Sequence, residues 1–408
     1  MSRLSLQLLG LVLGTVALLP TVVYGAEIPP SGSATGRESV RHLSEQRGSN
    51  KVLKVGPTRQ IRRISAAASM AQEGDIIEID SSDYVSDVAV WKQRLLTIRG
   101  VGGRPRLIAK GAAAEGKAIW VIRGGEITVE NIEFVGARVP DKNGAGIRFE
   151  QGLLVIKNCR FTENENGVLS SQGKNMRLEI ENCEFGYNGA GDGYSHNLYV
   201  GSIQSLSVTG SYFHHARAGH LLKSRSAENH ILYNRLTDER GGRSSYEMDF
   251  PNGGKIYVIG NLIEQSPTTT NSNIIACGTE GYRDSSSELY LINNTIVDNR
   301  PAGGNPLLLA NGLKKLVAIN NLLICRHRLN TVAEGVIQNN FNTESGQFIK
   351  PADYDYRLKP TSSLTDKYVQ PPSNHDFELA PKREYVHPAS TRPLSRTPRS
   401  PGAIQTPG

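Results

Sequence analysis

A short phrase recurs along this chain at nearly constant spacing, and it limits the possible folds more than any other feature. The phrase is apolar-x-Asn-apolar-x-apolar. It reads Val129-Glu-Asn-Ile-Glu-Phe134, Ile156-Lys-Asn-Cys-Arg-Phe161 and Ile180-Glu-Asn-Cys-Glu-Phe185, with looser copies ending at Phe213, Leu236, Ile263, Ile296 and Leu323. The steps between those last residues are 27, 24, 28, 23, 27, 33 and 27. A near-fixed period of this size marks a solenoid, in which each unit buries its apolar face only against its neighbours. The apolar runs are short, rich in β-branched and aromatic residues, and bounded by Gly, Asn and Ser, as strands are. No stretch between them keeps a helical period. The expected fold is all-β, a parallel β-helix with one coil per repeat.

The asparagines have a mechanical reading. Asn131, Asn158 and Asn182 fall at one bend of three successive coils, where Asn tolerates unusual backbone angles and can bond its counterparts above and below. A second ladder follows one residue later in the repeat, at Asn234, Asn261, Asn294 and Asn321. Both are read as structural. Ile61, Ile64, Ala67, Ala68 and Ala71 form a helical stripe between Arg59 and Ala71, which predicts a capping helix over the first coil. Gly74-Asp75 then turns the chain into the strand Ile76-Ile-Glu-Ile79. The solenoid is expected over 55–345. Residues 346–408 are expected as a C-terminal cap that runs along the outside and ends in a partly disordered tail.

The first 25 residues read as a secretory signal peptide: Arg3, an apolar run from Leu8 to Leu19, then small residues at Gly25-Ala26. That run is short for a membrane span. Residues 26–54 are expected as a linker. The mature protein is expected to be secreted or periplasmic, without a membrane span after signal cleavage, and monomeric. Cys159 and Cys183 take the same place in adjacent coils. Stacked strands lie about 4.8 Å apart, wider than the ~3.8 Å that disulfide Cβ atoms want, so inward free thiols are expected. The net charge of +7 is spread along the chain without a basic stripe, so nucleic acid is not an expected partner. An acidic polysaccharide suits that balance, as does a merely basic surface.

Three further stretches look like successive rungs: His196 to Gly201, Gly219 to Arg225, and Ser245 to Pro251. Residues two apart in a strand share a face. With Leu198, Val200, Leu222, Met248 and Phe250 inward, the outer face carries Asn197, Tyr199, Lys223, Arg225, Glu247 and Asp249. Tyr199, Lys223 and Asp249 fall in one column. His196 and His220 are one coil apart and can stack, either as structural groups or at the groove as acid or base.

A rigid outer face of this kind suits an extended chain of sugar rings. Uronic acids can be cleaved by removing the proton beside the carboxyl group, after which the glycosidic oxygen leaves. In that chemistry Lys223 can be the base, Arg225 a clamp for the substrate carboxylate, and Tyr199 the proton donor. Asn197, Arg243, Glu247 and Asp249 are the expected substrate contacts. The sequence assigns no definite cofactor; calcium is the candidate, with Glu247 and Asp249 as its possible ligands. Glu280 can extend the site by one rung. The competing reading pairs Asp249 with Lys223 in a salt bridge. Carboxylate pairs such as Asp238/Glu239 and Glu247/Asp249 leave a glycoside hydrolase open.

The repeat, the capping helix and Gly74-Asp75 resemble right-handed parallel β-helix proteins of the pectate-lyase type over about residues 55–345. A narrower resemblance lies in Lys223-Ser224 followed by Asn229 and Asn234. It is similar to the Lys-Ser…Asn phrase of β-helix alginate lyases and chondroitinase B, whose lysine is the Brønsted base. That resemblance implies Lys223 as base. Where those lyases place a catalytic arginine on the following coil, this chain has Met248-Asp249-Phe250. The leading expectation is a polysaccharide lyase acting on a uronic-acid polymer by β-elimination. A hydrolase or uronan epimerase on the same groove, and a non-catalytic polysaccharide-binding protein, remain alternatives.

Overall fold

The computed structural model describes residues 51–329 and 334–405. The expected signal peptide, and the expected linker as far as residue 50, lie outside them. The remainder is an all-β parallel solenoid of about ten turns. Each coil contributes strands to three faces. In one coil these are Leu198–Val200, Ile203–Thr209 and Tyr212–His214; in the next, Leu222–Ser224, Glu228–Leu232 and Arg235–Thr237. Neighbouring coils pair in parallel on every face.

The sequence repeat is the structural repeat. Phe134, Phe161, Phe185, Phe213, Leu236, Ile263, Ile296 and Leu323 pair in that order on the third face. All eight are buried. The four phenylalanine rings stack with centroids 5.0, 4.8 and 4.7 Å apart. Each buried ring contributes roughly 1.5–3 kcal/mol of transfer free energy, and the next coil supplies its other wall.

The repeated phrase straddles the bend between the second and third faces, and here the two expected ladders part. Asn234, Asn261, Asn294 and Asn321 are fully buried. Each donates its Nδ2 to the Oδ1 of the asparagine one coil on, ending at Asn340, at 3.0, 3.1, 3.0 and 2.7 Å. That same Oδ1 accepts the backbone amide of the preceding asparagine. The column continues toward the N-terminus with other acceptors. The amide of Ser211 donates to Asn234, that of Cys183 to Ser211 Oγ, and that of Cys159 to Cys183 Sγ. All four thiols are free. Asn131, Asn158 and Asn182 instead sit one residue earlier, at φ of 56°, 53° and 53°. They hold the left-handed turn, and among the described residues they do not bond one another; the expected first ladder is corrected on this point.

The ends also correct the reading. Strand Val52–Val55 pairs with Ile76–Ile79, so the solenoid begins inside the stretch expected as linker (26–54). The capping helix α1 is Ile64–Met70 and buries Ile64, Ala67 and Ala68. The Asp87 carboxylate accepts the amides of Ile64 and Ser65 at 2.6 and 3.0 Å, satisfying donors that a helix start leaves open. After the last coil the chain turns back along the outside. Val369, Phe377 and Leu379 cover an aromatic strip of Tyr233, Tyr257 and Tyr290. Phe348, Tyr356, Leu358 and Ala403 pack on Leu262, Val297 and Leu322. The tail expected as partly disordered is thus packed as far as residue 405. Among the described residues, no helix is long and apolar enough to cross a membrane.

Candidate active site on the outer face

The first face carries the candidate site. Leu198, Leu222 and Met248 are paired and fully buried. One residue on, Tyr199 pairs with Lys223 and Lys223 with Asp249 on the outer side. Lys223 Nζ lies 3.0 Å from Asp249 Oδ2 and 3.3 Å from Glu280 Oε1. Arg225, two residues along the same direction, donates its Nη2 to both oxygens of Glu280 at 2.8 and 2.6 Å. The Tyr199 ring lies beneath both cations, its centroid 6.0 Å from Lys223 Nζ and 5.6 Å from Arg225 Cζ. Such contacts favour positive charge. Glu280 follows the strand Asn273–Cys277 of the next coil and reaches back across it.

His196 and His220 stack with ring centroids 4.4 Å apart, and His196 meets the Tyr199 ring edge-on at 4.9 Å. The backbone amide of His220 donates to His196 Nδ1 at 2.9 Å, and that of Tyr246 to His220 Nδ1 at 3.2 Å. An accepting Nδ1 puts the proton of each neutral ring on Nε2. His220 Nε2 therefore carries its hydrogen 3.6 Å from Asp249 Oδ2. Burial, then the Lys223 and Arg225 charges, push His220 down to about 3. Burial and the neighbouring His220 also hold His196 well below the usual imidazole range. Both rings stay neutral near pH 7 and cannot act there as cationic acids. Asp249 moves the other way: burial raises its carboxyl, against the pull of Lys223. Its Oδ1 is buried and finds no partner among the described residues.

Three expected site residues do not join this group. Asn197 is fully buried. It ends a third asparagine column, accepting from Asn188 Nδ2 at 2.8 Å and donating to the His214 carbonyl at 2.9 Å. Glu247 is buried too and accepts from Ser244 Oγ at 2.9 Å. Burial and the nearby Asp238 raise its carboxyl well above the usual range. The first-face strands are only Leu198–Val200 and Met248–Phe250, so alternation cannot be extended back to residues 197 and 247, which belong to the incoming loops. Arg243 is exposed in such a loop and bridges by backbone to Arg217, and no described contact links it to Lys223.

The calcium expectation loses its ligand pair. Glu247 bonds Ser244 whereas Asp249 bonds Lys223, and among the described residues no group of three His, Cys, Asp or Glu side chains could hold a metal. The donor set does not fit an ion that takes six to eight oxygens. The Lys-Ser…Asn phrase also divides. Ser224 and Asn229 are fully buried and bonded to each other at 2.6 Å. They fix the bend beside Lys223 and do not face the groove.

A cavity of about 640 Å³ adjoins Arg225, walled by Gln204, Asn252, Lys255 and the loop at 283–287. Arg283 in that loop reaches back to Ser202 Oγ at 2.6 Å. Sequence reading missed Arg283, because a link spanning three coils leaves no local signal.

The family described as right handed beta helix region matches residues 108–236. The crystal structure of pectate lyase Pel9A superposes with a TM-score of 0.54 at 10% identity, covering 89% of this chain and 98% of that one. The chain has the right-handed parallel β-helix fold of pectate lyases. No curated protein matches it in sequence. At such low identity the likeness is one of fold, and a β-helix of this type hosts more than one activity.

Proposed function

We propose that this β-helix is a secreted or periplasmic protein that acts on an acidic, uronic-acid polysaccharide by β-elimination. One observation carries the reading: Lys223 and Arg225 grip a single carboxylate, that of Glu280, on a stiff outer face beside an open cavity. A site that holds one carboxylate with an amine and a guanidinium suits a uronate. In the proposed reaction Arg225 neutralises the substrate carboxylate. That acidifies the carbon-bound proton next to it. Lys223 takes this proton, the C–H electrons form the carbon–carbon double bond, and the bond from the neighbouring carbon to the glycosidic oxygen breaks. Tyr199 supplies the proton that the departing oxygen needs. Acting as base requires the Lys223 amine to give up the proton it shares with Asp249 Oδ2, 3.0 Å away. His220 Nε2 lies 3.6 Å from Asp249 Oδ2, and His196 stacks on His220.

A second reading rests on the same distances. Both cations are already paired, which suits a polysaccharide-binding protein without catalysis. One assay separates the two. Polygalacturonate and alginate are incubated with the protein, and ultraviolet absorbance of unsaturated uronate ends is followed. The lyase reading expects that absorbance to rise. It also expects Lys223→Ala to lower the rate by about 10²–10⁴-fold, with the far-ultraviolet circular dichroism unchanged. Full turnover in that variant removes Lys223 as base. Binding without product favours the second reading.

A further inference from the structure

Glu280 is the unusual member of the site. Its side chain is 45% exposed, whereas Lys223 and Arg225 are 13% and 18% exposed. Its backbone is fixed: the amide of Glu280 donates to the Pro251 carbonyl at 2.9 Å and that of Arg283 to Asn252 at 3.0 Å. The flanking Gly278 and Gly281 take φ of 78° and 87°, a region that side chains rarely occupy. The loop therefore holds its shape while the carboxylate at its tip reaches into the cationic pair from the solvent side.

The fit of that carboxylate is incomplete. Both Glu280 oxygens accept from the same nitrogen, Arg225 Nη2. Arg225 Nη1 is buried and finds no partner among the described residues. A carboxylate meeting a guanidinium squarely uses two nitrogens in parallel. Leaving a buried charged donor unpaired is costly. The occupant present is thus tethered where it cannot make the best use of the pair.

We infer that Glu280 is a displaceable stand-in for a ligand carboxylate, so that Arg225 and Lys223 form a carboxylate subsite which a uronate enters by expelling it. The inference rests on the uronate reading above. The ligand's carboxylate takes Nη1 and Nη2 of Arg225 together, and the Glu280 side chain swings into water while its loop stays anchored. The same contact sets specificity. A neutral or esterified sugar cannot repay the loss of Glu280 from the two cations, so it is rejected.

Calorimetric titration tests this, using oligogalacturonate and its methyl ester on the wild type, on Glu280→Gln and on Glu280→Asp. Removing a tethered competitor is expected to tighten oligogalacturonate binding about tenfold in Glu280→Gln, which corresponds to ~1.4 kcal/mol. Glu280→Asp, one methylene too short to span both cations, is expected to fall between. The methyl ester is expected to bind more weakly than oligogalacturonate to every variant, because it offers the two cations no carboxylate. If the wild type binds oligogalacturonate while both variants bind it equally or more weakly, the stand-in idea is overturned and the uronate reading survives. If no variant and no wild type binds it, the uronate reading fails and takes this inference with it. Should Glu280→Gln not fold, Glu280→Asp decides by the same comparison.

Discussion

Two columns run along this solenoid, one inside and one outside. The inner one stacks Phe134, Phe161, Phe185 and Phe213. The outer one stacks Tyr199, Lys223 and Asp249. Both obey the same coil spacing, yet each inner position repeats its neighbour's chemistry and each outer position changes it. A dry interior rewards identical neighbours, because every ring supplies the next with a matching wall. A row of unlike ionisable groups gains little from packing. Its members are held by partners from elsewhere: Glu280 from the following coil's loop, His220 from the loop before. In a fold whose frame is periodic, a break in the period marks the place to look for chemistry.

That contrast can be broken at several strengths. Phe185→Ala removes one ring from a filled stack and is expected to cost about 3–5 kcal/mol, read as a lower urea midpoint; a loss as small as that of a surface variant would mean that the stack is not the frame. Asn261→Leu leaves the Asn234 amide and the Ile231 carbonyl without their partners, and is expected to cost about 1–3 kcal/mol by the same measurement.

Burial pushes Asp238 and Glu264 up to about 7. Relative to a usual carboxylate near ~4, the folded protein then binds protons that the unfolded chain has released. The stability these groups contribute is complete below ~4 and is lost as pH rises through about 7. His220, held near 3, works in the opposite sense and costs stability as pH falls below the usual imidazole value of ~6.5. Above ~6.5 only the carboxyl trend remains, so urea midpoints are expected to decline there. Glu247→Gln removes one of the buried acids beside Asp238 and is expected to flatten that decline; an unchanged slope would show that the cluster does not titrate on folding. The smallest effect belongs to the exposed pair Arg106–Asp83, both about half exposed. Asp83→Ala is expected to shift stability by at most ~1 kcal/mol.

The sequence carried the frame well because its signal is repeated. Eight residues at one phase of the period, from Phe134 to Leu323, had to face the same way, and any slip of register would have contradicted many copies at once. The site had no such redundancy. Tyr199, Lys223 and Asp249 lie within three-residue strands, where alternation applies. Asn197 and Glu247 lie just outside them, and alternation carried one residue too far placed them on the wrong side. Glu280 was legible only as an extension of the site, because its reach back to Arg225 spans 55 residues and depends on how a glycine-flanked loop bends.

Tyr233, Tyr257 and Tyr290 are shielded by Val369, Phe377 and Leu379, which follow every coil in order of synthesis. Until those later residues arrive, a finished stretch of solenoid presents a greasy seam to its surroundings. A nascent chain halted before position 369 would carry that seam uncovered and tend to stick to its own kind, so the cell must either deliver the cover promptly or keep such intermediates apart.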